Sequence, residues 1–108
     1  MTAGDVVLLN FPFSDLSGAK LRPVVVLAVV DRDDFIVAQI TSQRKADRHA
    51  VELTNGSFTA GGLRVTSFAR SAKLFTAHRR LVAKRIGRIR DDMRDAVRDA
   101  AIEVIRGR

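Results

Sequence analysis

PVVVLAVV, Pro23 to Val30, is the stretch on which the fold turns. It is apolar without interruption and mostly β-branched. Side chains stiff at χ1 pack well on a pleated strand and lose freedom in a helix. A half-buried strand would alternate apolar with polar residues, and this one does not, so it reads as a strand covered on both faces. Upstream, SDLSGAK (Ser14–Lys20) is a loop rich in turn formers. It is preceded by DVVLLNFPF (Asp5–Phe13), a strand ending near Pro12, which has no N–H to give to a ladder. Downstream, DRDD turns the chain into a third strand, FIVAQIT (Phe35–Thr41), and HAVEL (His49–Leu53) follows as a short alternating strand.

The second half is less uniform. TNGSFTAGG (Thr54–Gly62) reads as a glycine-rich loop, and LRVTSFA (Leu63–Ala69) reads as a strand mainly through its Val, Thr and Phe content. RLVAKRIGRI (Arg80–Ile89) fits strand or helix. The last segment, RDDMRDAVRDAAIEVIRGR, is helical: Met93, Val97, Ala100, Ala101 and Val104 recur on one face, with Ile102 and Ile105 widening the stripe. Asp91 and Asp92 at its start and Arg106 at its end complement the helix dipole. The expected architecture is mainly β (α+β), one domain over residues 1–108. It is a small, strongly bent antiparallel sheet or partly open barrel capped by a C-terminal helix.

A chain of 108 residues supports one modest core, and 46% hydrophobic residues with a mean hydropathy near zero argue for a folded globule. The longest apolar run is too short to span a bilayer, and no signal peptide is visible, so a cytoplasmic protein with no membrane partner is expected. There is no cysteine, and two isolated histidines do not make a metal site. The net charge of +7 is unevenly spread: residues 1–52 carry 6 Lys/Arg against 7 Asp/Glu, whereas residues 53–90 carry 9 Lys/Arg and no carboxylate. A block of one sign attracts phosphate backbones and acidic peptides, or simply serves as a solvated face.

No GxSxG, P-loop, HExxH or Cys/His pair is present, and His49 and His78 stand apart from any catalytic pattern. Asp33 and Asp34 are adjacent carboxylates in a turn, where solvated turn chemistry accounts for them.

The segment GDVVLLNFPFSDLSGAKLRPVVVLA (Gly4–Ala28) closely resembles the N-terminal signature of the MazF/PemK-like toxins of type II toxin–antitoxin systems. The likeness continues through QITS (Gln39–Ser42), SAKLFT (Ser71–Thr76), KRIGRI (Lys84–Ile89) and the terminal helix. The resemblance implies an SH3-like β-barrel, a homodimer and cleavage of single-stranded RNA without metal or other cofactor. It also implies a cognate acidic antitoxin as partner. The family's catalytic arginine, which opens the second strand, maps to Arg22, and its partner threonine, which ends the third, maps to Thr41. The loop glutamate of some members is absent, Ser17, Gly18 and Ala19 standing nearest, and the histidine that precedes the arginine in certain members is Leu21. A non-catalytic relative that binds a protein target such as DNA gyrase, and a plain basic RNA-binding barrel, are the other functions open to this fold.

Arginine suits phosphoryl transfer because its planar fork holds two oxygens while staying charged, and a threonine hydroxyl adds one donor. The same permanent charge makes Arg22 a poor base, leaving water, Lys20 or no strong base for that role. Pro23 stiffens the chain beside Arg22, and Val24–Leu27 anchors it. Lys20, Ser42, Gln43 and Arg44 are expected to flank the chemistry, with Arg70 and Lys73 lining a basic groove. Phe13 stacks on an unpaired base or belongs to the core, and Ser17 sits in the RNA-facing loop. The structural alternative for Arg22 is an ion pair with Asp5 or Asp15.

Overall fold

The computed structural model describes residues 1–12, 19–44 and 47–107. Seven strands appear among them: β1 (Asp5–Pro12), β2 (Ala19–Val29), β3 (Asp34–Thr41), β4 (Ala50–Leu53), β5 (Phe58–Gly61), β6 (Ser67–His78) and β7 (Val82–Ile89). One helix, α1 (Asp91–Arg106), closes the chain. The strands form a single sheet in the order β4-β6-β3-β2-β1-β7-β5, every pairing antiparallel, and it bends into a half-barrel.

β2 lies at the middle of that order and carries a core on each face, as its unbroken apolar run requires. Val25 and Leu27 join Val6, Ala38, Ile40, Leu53, Ala69, Ile89 and the helix residue Val97 on one side. Val24 and Val26 join Val7, Leu9, Phe35, Val37 and Ala77 on the other, where Phe11 and Phe75 pack edge to face at 5.2 Å. The double burial stops at Leu27: Val29 and Val30 run past both cores and are about half exposed.

Several boundaries differ from the sequence reading. β2 begins at Ala19, because Ala19–Leu21 pair with Asn10–Pro12, so Arg22 stands inside the strand opposite Leu9 and does not open it. The glycine-rich loop contains a 3-10 turn (Asn55–Ser57) and β5. β5 exists through a close approach that only glycine permits. At Gly61, with φ +61°, a Cβ would lie 2.1 Å from the Ile86 carbonyl oxygen. β6 starts at Ser67, so Leu63–Thr66 is loop, and the ambiguous segment resolves into a 3-10 turn (Arg79–Leu81) followed by β7.

The helix buries Val97 and Ala101 and leaves Ile102 and Ile105 in solvent, the latter 75% exposed. Its packed stripe, Val97 and Ala101 with Met93 against the core, is narrower than its apolar one. Gly107, in the left-handed region, ends it with an N–H bond to the Val104 carbonyl. At the other end the Arg90 N–H donates to the Ser57 carbonyl and its guanidinium to the Gly56 carbonyl and to Asp92. That hydrogen bond from Arg90 holds the Asp92 carboxyl below its ordinary range. No helix of the described residues is long and apolar enough to cross a membrane.

Candidate functional site

Register brings the two family-matched residues together. β2 and β3 pair Val24 with Gln39; carried two residues further, the same register sets Arg22 opposite Thr41, on one face of the sheet by the two-residue alternation of strands. Gln39 in turn pairs with Arg70 on β6, placing a second arginine on that face one row along. These residues open into a cleft of about 460 Å³.

Lys20, Leu21, Arg22 and Pro23 of β2 form one side of the cleft. The end of β3 supplies Gln39, Ile40 and Thr41, and the chain beyond it Ser42 and Gln43. Leu63, Arg64 and Val65, with Ser67 and Arg70 of β6, complete it. Among the described residues, four cations and no carboxylate line it. Arg70 is moderated by Asp47, whose Oδ2 accepts from Arg70 Nε at 3.1 Å, with the two side chains only 24% and 20% exposed. The other Asp47 oxygen accepts the His49 N–H at 2.8 Å, fixing the carboxylate against the arginine. Thr41 Oγ1 accepts the Gln43 N–H at 3.1 Å, which ties down the turn after β3 and leaves the hydroxyl proton to be donated.

Of the residues singled out from sequence, Arg22, Thr41, Lys20, Ser42, Gln43 and Arg70 meet in this cleft. Arg44 and Lys73 are not among its lining residues. The Arg44 guanidinium lies 5.4 Å from the centre of the Phe68 ring and 3.5 Å from Glu52. Lys73 is exposed on the irregular step of β6, where Gln39 pairs with Arg70 but Ala38 pairs with Leu74. Phe13 and Ser17 lie outside the described residues, as does Asp15. Asp5 sits four residues along β1 from the partner of Arg22, roughly 13 Å away at strand rise. Its buried carboxylate is engaged by Arg88 at 3.1 Å, Arg85 at 3.5 Å and the Thr2 N–H at 2.9 Å.

Each histidine serves local structure: His78 Nδ1 accepts the Arg80 N–H at 3.0 Å, and His49 Nε2 accepts from Arg48 Nε at 3.3 Å. No group of three His, Asp or Glu side chains able to hold a metal ion occurs among the described residues.

Sequence reasoning missed Gln39 and the wall Leu63–Arg64–Val65 as site residues. The lack of carboxylates around Arg64 was the one signal available, and it did not distinguish this arginine from eight other cations in the same block.

The model of a family described as PemK-like, MazF-like toxin of type II toxin-antitoxin system matches residues 2–105. No protein with a curated description matches the chain. Among solved structures, MazF (form I) from Deinococcus radiodurans superposes with a TM-score of 0.72 at 21% identity, covering 100% of this chain and 97% of that one. The Mycobacterium tuberculosis toxin MazF-mt6 gives 0.68 at 17% identity over 93% and 96%. An endoribonuclease in complex with its cognate antitoxin, from Mycobacterial species, gives 0.66 at 12% identity over 99% and 93%. At these identities the structural likeness carries the fold, and the half-barrel with its terminal helix is the MazF fold.

Proposed function

Because the chain belongs to the PemK-like, MazF-like toxins of type II toxin–antitoxin systems, we propose that it is a sequence-specific endoribonuclease that cuts single-stranded RNA between Arg22 and Thr41. The observation that carries this reading is the convergence of Arg22, Thr41, Lys20 and Arg70 on one cleft that, among the described residues, four cations line. A polyanion is the ligand such a cleft attracts. The solved relative described as an endoribonuclease with its antitoxin supports both the activity and the partner.

The ribose 2′-hydroxyl attacks the adjacent phosphorus, giving up its proton to water. The bond from phosphorus to the 5′-oxygen breaks and that oxygen takes a proton, leaving a 2′,3′-cyclic phosphate and a free 5′-hydroxyl. Charge grows on the phosphoryl oxygens during attack, so donors fixed in advance bind the transition state better than the ground state. Arg22, on a strand anchored by the buried Val24–Leu27 run, supplies that fixed charge; a guanidinium stays protonated and does not serve as base. Thr41 donates its hydroxyl proton to the same group, and Lys20 and Arg70 hold flanking phosphates. No step needs a metal. The chain acts as a homodimer in the cytoplasm, cutting messenger RNA and so arresting growth, until an acidic antitoxin segment covers the cleft and excludes RNA.

The test is incubation with single-stranded RNA in EDTA, comparing wild type with Arg22→Ala and Thr41→Ala. Cleavage by the wild type and its loss in both variants is expected. Intact RNA with the wild type rejects the enzyme, and full activity in folded Arg22→Ala rejects the site. An oligonucleotide with a single 2′-deoxy sugar at the cut position should resist cleavage there.

A further inference from the structure

The cleft has two chemically different sides, and strand alternation separates them. Lys20 and Arg22 share one face of β2 with Val24, while Leu21 and Pro23 share the other with Val25 and Leu27. Leu63 packs against the core cluster that contains Val25 and Leu27, so the loop before β6 lies on the Leu21 side. On that side Leu21 and Val65 are 49% and 59% exposed, two large apolar side chains held in water within a cationic cleft. Phosphate has no use for them.

Nor is Val65 on a slack loop. The Gly62 N–H donates to the Ile86 carbonyl at 3.2 Å where the loop begins, and Ser67 Oγ donates to the Val65 carbonyl at 3.0 Å where it ends. A pinned wall with an exposed apolar surface is a preorganised contact for a flat, apolar face.

Resting on the ribonuclease reading, we propose that Leu21 and Val65 form the base-reading wall of the site. One nucleobase next to the scissile phosphate lies against them, while its phosphate lies at Arg22 and Thr41. An unpaired base presents a π-face for such apolar contact and edges for hydrogen bonds, and Arg64, exposed beside Val65, is placed to donate to that edge. The wall thereby determines specificity at one nucleotide, and the cations on the other face bind every sequence alike.

The experiment uses a pool of randomised single-stranded RNA with sequencing of the cut ends. Wild type is compared with Leu21→Ala, Val65→Ala, the isosteric Val65→Thr, and Ile105→Ala as an exposed apolar control away from the cleft. Burying one such side chain against a base corresponds to a change of about three- to tenfold. The wall variants should cut the preferred sequence more slowly by that factor and lose preference at a single position, while Ile105→Ala keeps the wild-type profile. On the preferred oligonucleotide with that one base removed, wild type and variants should cut at equal rates.

An unchanged profile in the folded Leu21 and Val65 variants overturns the inference and leaves the ribonuclease reading standing. So does an equal loss on intact and abasic RNA, or a loss that accompanies dissociation of a dimer in sedimentation, which would assign the two side chains to a contact between copies. A wild-type protein that leaves the whole pool intact overturns the ribonuclease reading and this inference with it.

Discussion

Two groups of arginines, one on the sheet and one partly on the loop before β6, stand in opposite surroundings. At the β7 end, Arg85 and Arg88 converge on one buried carboxylate, Asp5, which also accepts the Thr2 N–H and thereby fastens the N-terminus. At the opposite end of β1 and β2, Arg22 and Arg64 line an open cleft with no carboxylate among its described lining residues, although Asp47 pairs with Arg70 beside it. Composition does not distinguish them, since Arg64, Arg85 and Arg88 all belong to one carboxylate-free block of sequence. The register of β1 with β7 brings Asp5 opposite Arg88, while the cleft receives its cations from three separate segments. The surroundings of a guanidinium therefore depend on which segments the fold brings to it: a buried carboxylate at Arg85 and Arg88, the polar end of β3 and other cations at the cleft.

The sharpest way to break this contrast is to truncate one member at each end. Arg22→Ala should lower RNA cleavage by about 10²- to 10³-fold, the usual cost of removing one preorganised charge donor, measured as initial rates in EDTA. Its thermal midpoint should stay close to wild type; a collapse of the fold would make Arg22 structural after all. Asp5→Ala should do the reverse. Two arginines lose a buried acceptor, so chemical denaturation should report a stability loss of about 3 kcal/mol, with cleavage per folded molecule retained.

Asp47 is the intermediate case, a carboxylate delivered to an arginine of the cleft itself. A double-mutant cycle of Asp47→Asn with Arg70→Gln should give a coupling of about 1 kcal/mol in stability, since the pair is mostly but not fully buried. No coupling would move Arg70 to the purely functional group. The smallest effect belongs to Asp92, whose carboxyl is held below its ordinary value near 3.8 first by the hydrogen bond from Arg90. A depressed folded-state value means the unfolded chain binds the proton more tightly. This contribution is therefore present above the ordinary value and is lost as pH falls through the depressed one. Arg90→Gln should flatten the acid limb of a stability profile below that ordinary value by a small amount.

How much of this was legible in the sequence depended on whether a feature is made by neighbours along the chain or across it. Val24–Leu27 announced a strand buried on both faces because its own composition forbids a wet side. The helix was legible through the spacing of Val97 and Ala101, although the outward Ile102 and Ile105 made its packed face look wider than it is. β5 was not legible, since Phe58–Gly61 is a short, largely exposed segment whose pairing depends on Gly61 fitting under the Ile86 carbonyl, 25 residues on. For the site, the family resemblance pointed to Arg22 and Thr41, and the register explains why positions 19 residues apart belong together. Leu63–Val65 carried no pattern of its own, because a loop wall is defined by what faces it.

The double-sided burial of β2 also sets a timetable for solvent access. Val24 and Val25 are each 0% exposed and paired on both edges, so their amide protons should exchange with deuterated water only through global unfolding. The edge strands β4 and β5, with one neighbour each, should exchange through local opening at much lower cost. Arg22 stands two residues from the slowest of these amides, so the cleft borders the part of the molecule that opens last. Exchange measured with and without bound RNA should therefore differ at the chain beyond β3 and the loop before β6, and hardly at all at Val24 and Val25.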